Sequence, residues 1–152
     1  MTSFFPDYNV CFAVWLALSV ADHTHNGTAW KWLRLLPHQN RLIFSRHTQI
    51  GLLRLLTNAS VMGKQTLTLR KARDVYDRWL QDPRVDFYPE PRNIDAGFRQ
   101  ATEPFAAKPA SRWVGDCWLL ACAAGNQAML VTFDRAVVEF ARNQGHTAVI
   151  PS

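Results

Sequence analysis

Short apolar runs alternating with longer amphipathic stretches predict an α/β fold, with a short, mainly parallel sheet covered by helices on both faces. Two observations carry this. Residues 41–44, 85–88, 129–132 and 148–150 are brief, largely apolar segments of strand length. The segments between them place apolar residues at helical spacing. A third bounds the size. With 152 residues, no internal repeat, no low-complexity tract and no linker, the chain reads as one domain over 1–152.

The elements follow in order. Residues 3–6 are a very short strand candidate, and 10–20 form a continuous apolar stretch read as a buried helix that Asn9 would cap. Over 27–36 a helix aligns Trp30, Leu33 and Leu36 and leaves at Pro37. After the strand 41–44, residues 48–56 repeat leucines in a helical pattern that closes at Thr57-Asn58. Residues 68–80 set Leu69, Ala72, Tyr76, Trp79 and Leu80 opposite Arg70, Lys71, Arg73, Asp74 and Asp77, a strongly two-sided helix. The strand 85–88 meets the stiff Pro89-Glu90-Pro91 turn, a short helix covers 94–102, and a loop containing Pro109 covers 105–111. A helix over 115–124 stops at Gly125, the strand 129–132 leads into a helix over 135–143, and 148–150 is the last strand.

Composition narrows the class. Apolar residues make up 48% and aromatic residues 12% of the chain, with six Trp, which excludes a disordered or fibrous chain. The net charge of +5 suits an anionic partner, nucleic acid first. Cys11, Cys117 and Cys122 form an odd set without a CxxC pair, which argues against a disulfide framework or a zinc knuckle and for a cytoplasmic setting. The longest apolar run, 10–20, is too short to span a bilayer. Although Ser19-Val20-Ala21 mimics a signal-peptide cleavage site, the preceding segment carries Asp7 and no early Lys or Arg.

In open parallel sheets, ligands gather beyond the carboxyl ends of the strands. Three acids fall at such places: Asp7 after the first strand, Asp116 at the opening of the 115–124 helix, and Asp134 after the strand 129–132. Each alone reads as a helix cap, worth about 0.5–2 kcal/mol. Brought together they would repel by roughly 4 kcal/mol per pair at 4 Å and an effective dielectric near 20, so a cation or a proton must accompany them. A divalent ion such as Mg²⁺ is the natural counterion, and that chemistry suits phosphodiester cleavage.

Four segments carry a resemblance: PDYNV at 6–10, TQIGLLRLLTN at 48–58, WVGDCWLLACA at 113–123 and LVTFDRAV starting at Leu130. In order and spacing they resemble the PIN-domain ribonucleases, specifically the VapC-type toxins of bacterial type II toxin–antitoxin pairs. The resemblance implies a three-layer α/β/α PIN-like fold, endoribonuclease activity dependent on Mg²⁺ or Mn²⁺, inhibition by a VapB-like antitoxin, and a homodimer. It also implies products ending in a 3′-hydroxyl and a 5′-phosphate. By position, Asp7 and Asp116 resemble the metal ligands, Asp134 the further acid that binds metal and orients the nucleophilic water, and Asn9 and Thr132 the supporting polar groups. Gln49 stands where most such domains carry Glu; a neutral amide supplies no charge, so lower metal affinity and a single ion are expected. Equally, Gln49 reads as a plain hydrogen-bonding residue at a helix start.

The remaining candidates have two readings each. Arg112 and Arg135 flank the acids in sequence and would clamp substrate phosphate or offset carboxylate charge. Arg46 and His47 could meet RNA phosphate or only solvent. His23-Thr24-His25 invites a transition metal but lacks a third ligand. Arg54 suits an ion pair as well as a ligand, and the Trp residues read chiefly as packing. The expected function is a metal-dependent endoribonuclease toxin acting on structured RNA such as tRNA or rRNA. The alternative is a catalytically silent PIN-like RNA-binding or scaffold protein, motivated by Gln49. A duplex-DNA regulator is disfavoured because no helix-turn-helix with a basic recognition helix is seen.

Overall fold

The structure, a computed structural model, describes residues 8–11 and 14–152, excluding the side chain of Tyr8. Among the described residues five strands form one sheet in the order β3-β2-β1-β4-β5, every pairing parallel. They are β1 (Tyr8–Cys11), β2 (Arg41–Phe44), β3 (Val85–Phe87), β4 (Met129–Val131) and β5 (Ala148–Val149). The helices are α1 (Val14–Ser19), α2 (Asn26–Leu35), α3 (Arg46–Leu56), α4 (Ala59–Met62), α5 (Leu69–Gln81), α6 (Ile94–Thr102), α7 (Ser111–Gly125) and α8 (Arg135–Asn143).

The strands are short and apolar because both faces are covered, so alternate side chains enter two separate cores. Cys11, Leu42, Phe44 and Val131 pack with α1, α2, α3 and α5 on one face. Val10, Ile43 and Leu130 pack with α7 and α8 on the other. The result is the three-layer α/β/α arrangement anticipated from the alternation of runs. On the first face Trp15 stacks on Phe44 with ring centroids 3.7 Å apart and meets Trp79 edge-on at 5.3 Å. Trp15, Trp32 and Trp79 are therefore packing residues, at most 9% exposed.

Two expectations change. The apolar stretch 10–20 is not one helix: its start belongs to β1 and, among the described residues, only Val14–Ser19 is helical, so Asn9 lies in a strand and caps nothing. A strand buried on both faces and a buried helix look alike in sequence, since neither shows a polar side. The strand candidate at 3–6 and Asp7 lie outside the described residues, and the described first strand begins at Tyr8, after that acid. Finally, α7 starts at Ser111, four residues before the expected 115, because Gly115 is carried inside the helix. Asp116 therefore sits in the second turn and is no helix cap. The short helix α4 and the 3₁₀ turns at Gly63–Gln65 and Glu103–Phe105 were not anticipated.

Candidate active site

Strand order reverses at β1, with β2 on one side and β4 on the other, so the crevice beyond the carboxyl ends of β1 and β4 is where ligands of such sheets collect. Asp134 lies there, directly past β4. Its placement is built from local sequence. Thr132, 1% exposed, accepts the Asp134 backbone N–H on Oγ1 at 3.1 Å while its own N–H donates to Val149 O at 3.1 Å. Asp134 then caps α8, its Oδ1 accepting from the backbone N–H groups of Ala136 at 2.9 Å and Val137 at 3.4 Å. The cap holds the carboxylate in one orientation and leaves Oδ2 outward, 4.0 Å from Arg112 Nη2.

Asp116 arrives from α7, the helix that packs the far face of the sheet and leads into β4. Half-buried, its carboxyl is raised to about 6, first by burial and then by the charge of Asp134, with Arg112 pulling the other way. Two of the three candidate acids are thus within electrostatic reach of one another, and Arg112 serves both. Among the described residues no group of three His, Cys, Asp or Glu side chains converges as a metal site. The third candidate, Asp7, lies outside those residues.

The other candidates divide. Asn9 is 2% exposed and donates to Asn40 Oδ1 at 3.3 Å and to Arg41 O at 3.0 Å. These partners stand at the start of β2, so the Asn9 amide is committed to the opposite end of the sheet from Asp134. Gln49 is in the first turns of α3, and its amide oxygen accepts from Arg46 Nη1. Arg46 in turn lies 4.6 Å from the Phe87 ring centroid on the outer strand β3. Arg135 is exposed at the first position of α8, close in sequence to the site but with no described bond to it. His23 accepts the His25 backbone N–H on Nδ1 at 3.0 Å, and His25 stacks on Phe133 at 4.2 Å. These loop histidines form a turn.

Sequence reasoning underrated α3. Its first turn is held by a capping box: the Thr48 backbone N–H donates to Ser45 Oγ at 3.2 Å and the Ser45 N–H to Thr48 Oγ1 at 2.9 Å. The pattern Ser-x-x-Thr at 45–48 was the available signal. The helix thereby starts at Arg46, and His47 is brought against α7. Its ring lies 5.0 Å from that of Trp118, and its partial burial lowers the imidazole below the usual histidine value. Beside it a largely apolar cleft of about 330 Å³ runs along Cys11, Trp15, Leu16, Leu52 and Leu55.

The sequence signature of the PIN domain matches residues 5–143. Over 133 residues the chain is 35% identical to Ribonuclease VapC41 of Mycobacterium tuberculosis, in strains CDC 1551 / Oshkosh and ATCC 25618 / H37Rv, covering 84% of this chain and 88% of that protein. Its fold resembles a chain of the VapBC2 complex of Rickettsia felis bound to a promoter DNA fragment, with TM-score 0.67, 13% identity and coverage of 95% and 99% of the two chains. It likewise resembles a chain of VapBC-1 from nontypeable Haemophilus influenzae, with TM-score 0.62, 17% identity and coverage of 94% and 96%. The length of the sequence match, the identity to a VapC ribonuclease and the three-layer fold together place the chain in the PIN-domain family, among its VapC-type ribonucleases.

Proposed function

We propose that the chain is the toxin of a type II toxin–antitoxin pair, a divalent-metal-dependent endoribonuclease that hydrolyses phosphodiester bonds in structured RNA such as tRNA or rRNA. The observation that supports it is the meeting of Asp116 and Asp134 at the switch of strand order, with the Asp116 carboxyl raised to about 6 by burial and by its neighbour. Two acids so placed fit a hard divalent cation, which would relieve their repulsion. Asp116, Asp134 and Asp7 are the residues assigned to hold Mg²⁺ or Mn²⁺. When bound, such an ion supplies Lewis-acid polarisation of the scissile phosphate.

The side chains of the protein do the rest. Asp134, with Oδ1 engaged by the α8 backbone, offers Oδ2 to accept a proton from the attacking water and to aim it in line with the departing 3′-oxygen. Thr132 fixes that acid through its backbone N–H. Arg112 and Arg135 bind the substrate phosphates, and Arg112 also offsets the charge on the acids before substrate arrives. Gln49 stands in place of the usual Glu, with its amide oxygen engaged by Arg46 on the β3 side of α3. A VapB-like antitoxin is the assigned inhibitor, supported by the solved relatives being VapBC complexes and by the apolar cleft between α1 and α3, which suits an apolar segment of a partner. The assembly assigned to the free chain is a homodimer.

Purified protein is expected to cleave RNA in Mg²⁺, to stop on addition of EDTA, and to lose activity by about a thousandfold or more in Asp116→Asn, the scale on which single catalytic groups act. Cleavage that persists in EDTA and in Asp116→Asn removes the mechanism. A second reading, a silent RNA-binding PIN domain, is favoured by the Gln49 amide oxygen being taken by Arg46. Overexpression separates the two, since only an active toxin arrests growth in a manner abolished by Asp116→Asn.

A further inference from the structure

We propose that the groove between α2 and α5 is an anchoring site for RNA, taking an unpaired nucleotide whose base packs on Trp30 and whose flanking phosphates meet Arg34 and Arg78. The inference rests on RNA being the substrate in the proposed function and deepens that reading. The crevice beyond β4 concentrates acids, so a polyanion must find its attraction elsewhere on the surface. Helices α2 and α5 hold six cations against two acids, a net +4 of the chain's +5. On α5, Lys71, Val75 and Arg78 fall at i, i+4 and i+7 and so share one side of the helix. A protein partner already has the largely apolar cleft between α1 and α3; cations beside a flat aromatic groove match a strand that carries phosphates.

The groove is built for a flat ligand. A cavity of about 400 Å³ lies among Ser19, Trp30, Val75, Arg78, Trp79 and Asp82. Trp79 is its buried floor, and Trp30, stacked on it with ring centroids 5.8 Å apart, stays partly exposed. The end of α1 fixes both indoles, the Trp30 Nε1–H donating to Leu18 O at 3.1 Å and the Trp79 Nε1–H to Ser19 Oγ at 2.8 Å. With these donors spent, the rings offer stacking surface without reading base edges, which suits sequence-tolerant binding of a single strand. Arg34 lies 5.9 Å from the Trp30 centroid, and Arg78 donates to Asp74 O at 3.4 Å. Among the described residues neither guanidinium has a carboxylate partner, whereas Asp82, the acid at the lip, is held by Arg84 at 2.7 Å. Asp82 also locates the groove. It follows α5 and precedes β3, at the amino end of the parallel sheet, whereas Asp134 lies beyond the carboxyl end of β4. The length of a four-residue strand, about 13 Å, thus separates anchor from crevice, and a very short RNA cannot reach both.

Binding of labelled poly(U) to the whole chain in EDTA, followed by fluorescence anisotropy, tests the anchor without requiring turnover. Arg34→Ala/Arg78→Ala is expected to weaken binding about tenfold or more and to lower the slope of log affinity against log salt by about 1.4, the share of two phosphate contacts on a single strand. Trp30→Leu, with Tm measured alongside, is expected to weaken binding about fivefold or more at an unchanged slope, because stacking releases no counterions. Trp30→Phe, which keeps a ring, recovers part of the loss. Arg92→Ala/Lys108→Ala removes two exposed charges near α6 and should change affinity far less. In cleavage of folded RNA, Arg34→Ala/Arg78→Ala should raise KM with kcat nearly unchanged. Wild-type affinity and slope in that variant, an equal loss in the Arg92 and Lys108 control, or full RNA binding with loss of a protein partner instead would each overturn the anchor, while cleavage by the wild type would still support the ribonuclease reading. If the wild type binds poly(U) through the groove but cleaves no RNA, the anchor stands and the ribonuclease reading falls.

Discussion

Asp116 carries the titration most exposed to experiment. Its carboxyl is held near 6 in the folded chain against an ordinary 3.8. An acid that holds its proton more tightly when folded favours the folded state at low pH, and that contribution is lost as pH rises through about 6. Thermal melts of the metal-free protein are therefore expected to show stability falling from about pH 4 to about pH 6, a limb that Asp116→Asn flattens. Above about pH 6 the same variant should melt higher than the wild type while losing cleavage. Mg²⁺ should raise the wild-type Tm at about pH 7.5 far more than at about pH 5, by binding only the ionised pair. Equal stabilisation at both values would show that the ion binds elsewhere.

At the scale of single elements, Asp134 holds two assignments that substitutions can separate. As the N-cap of α8 it accepts two backbone N–H groups, and removing the cap costs about 0.5–2 kcal/mol. Asp134→Ala is expected to lower stability by that amount and to abolish cleavage. Asp134→Asn keeps an accepting oxygen, so denaturant unfolding should remain near wild type while cleavage is still lost; a matched fall in stability would mean that the charge, not the cap, holds α8. The same element shows what the sequence made legible. An acid after an apolar run and before Val137 and Val138 is readable as a cap because both signals are local. Asp116 was misplaced at a helix start because Gly115 looks like a boundary, yet packing of α7 on the sheet overrides that propensity. Asn9 looked like a cap for the same local reason, and its true role depends on Asn40, thirty-one residues away.

The whole molecule joins a net charge of +5 to a crevice that concentrates two acids. Binding of RNA should accordingly weaken with salt, and Arg112→Ala should reduce the slope of log affinity against log salt by about 0.7, the share of one phosphate contact on a single strand. An unchanged slope would confine Arg112 to its partnership with Asp134. Among the described residues no helix is long and apolar enough to cross a membrane. The order and type of most elements, the parallel sheet and the family follow from the sequence alone, because alternation of apolar runs and the local chemistry of caps and turns are written within a few residues of each other. Which acids meet, that Asn9 belongs to the other end of the sheet, and that His47 and Gln49 face opposite ways were decided only by tertiary structure. Those relations depend on strand order and on helix rotation about its own axis, and both are set by packing between segments far apart in the chain.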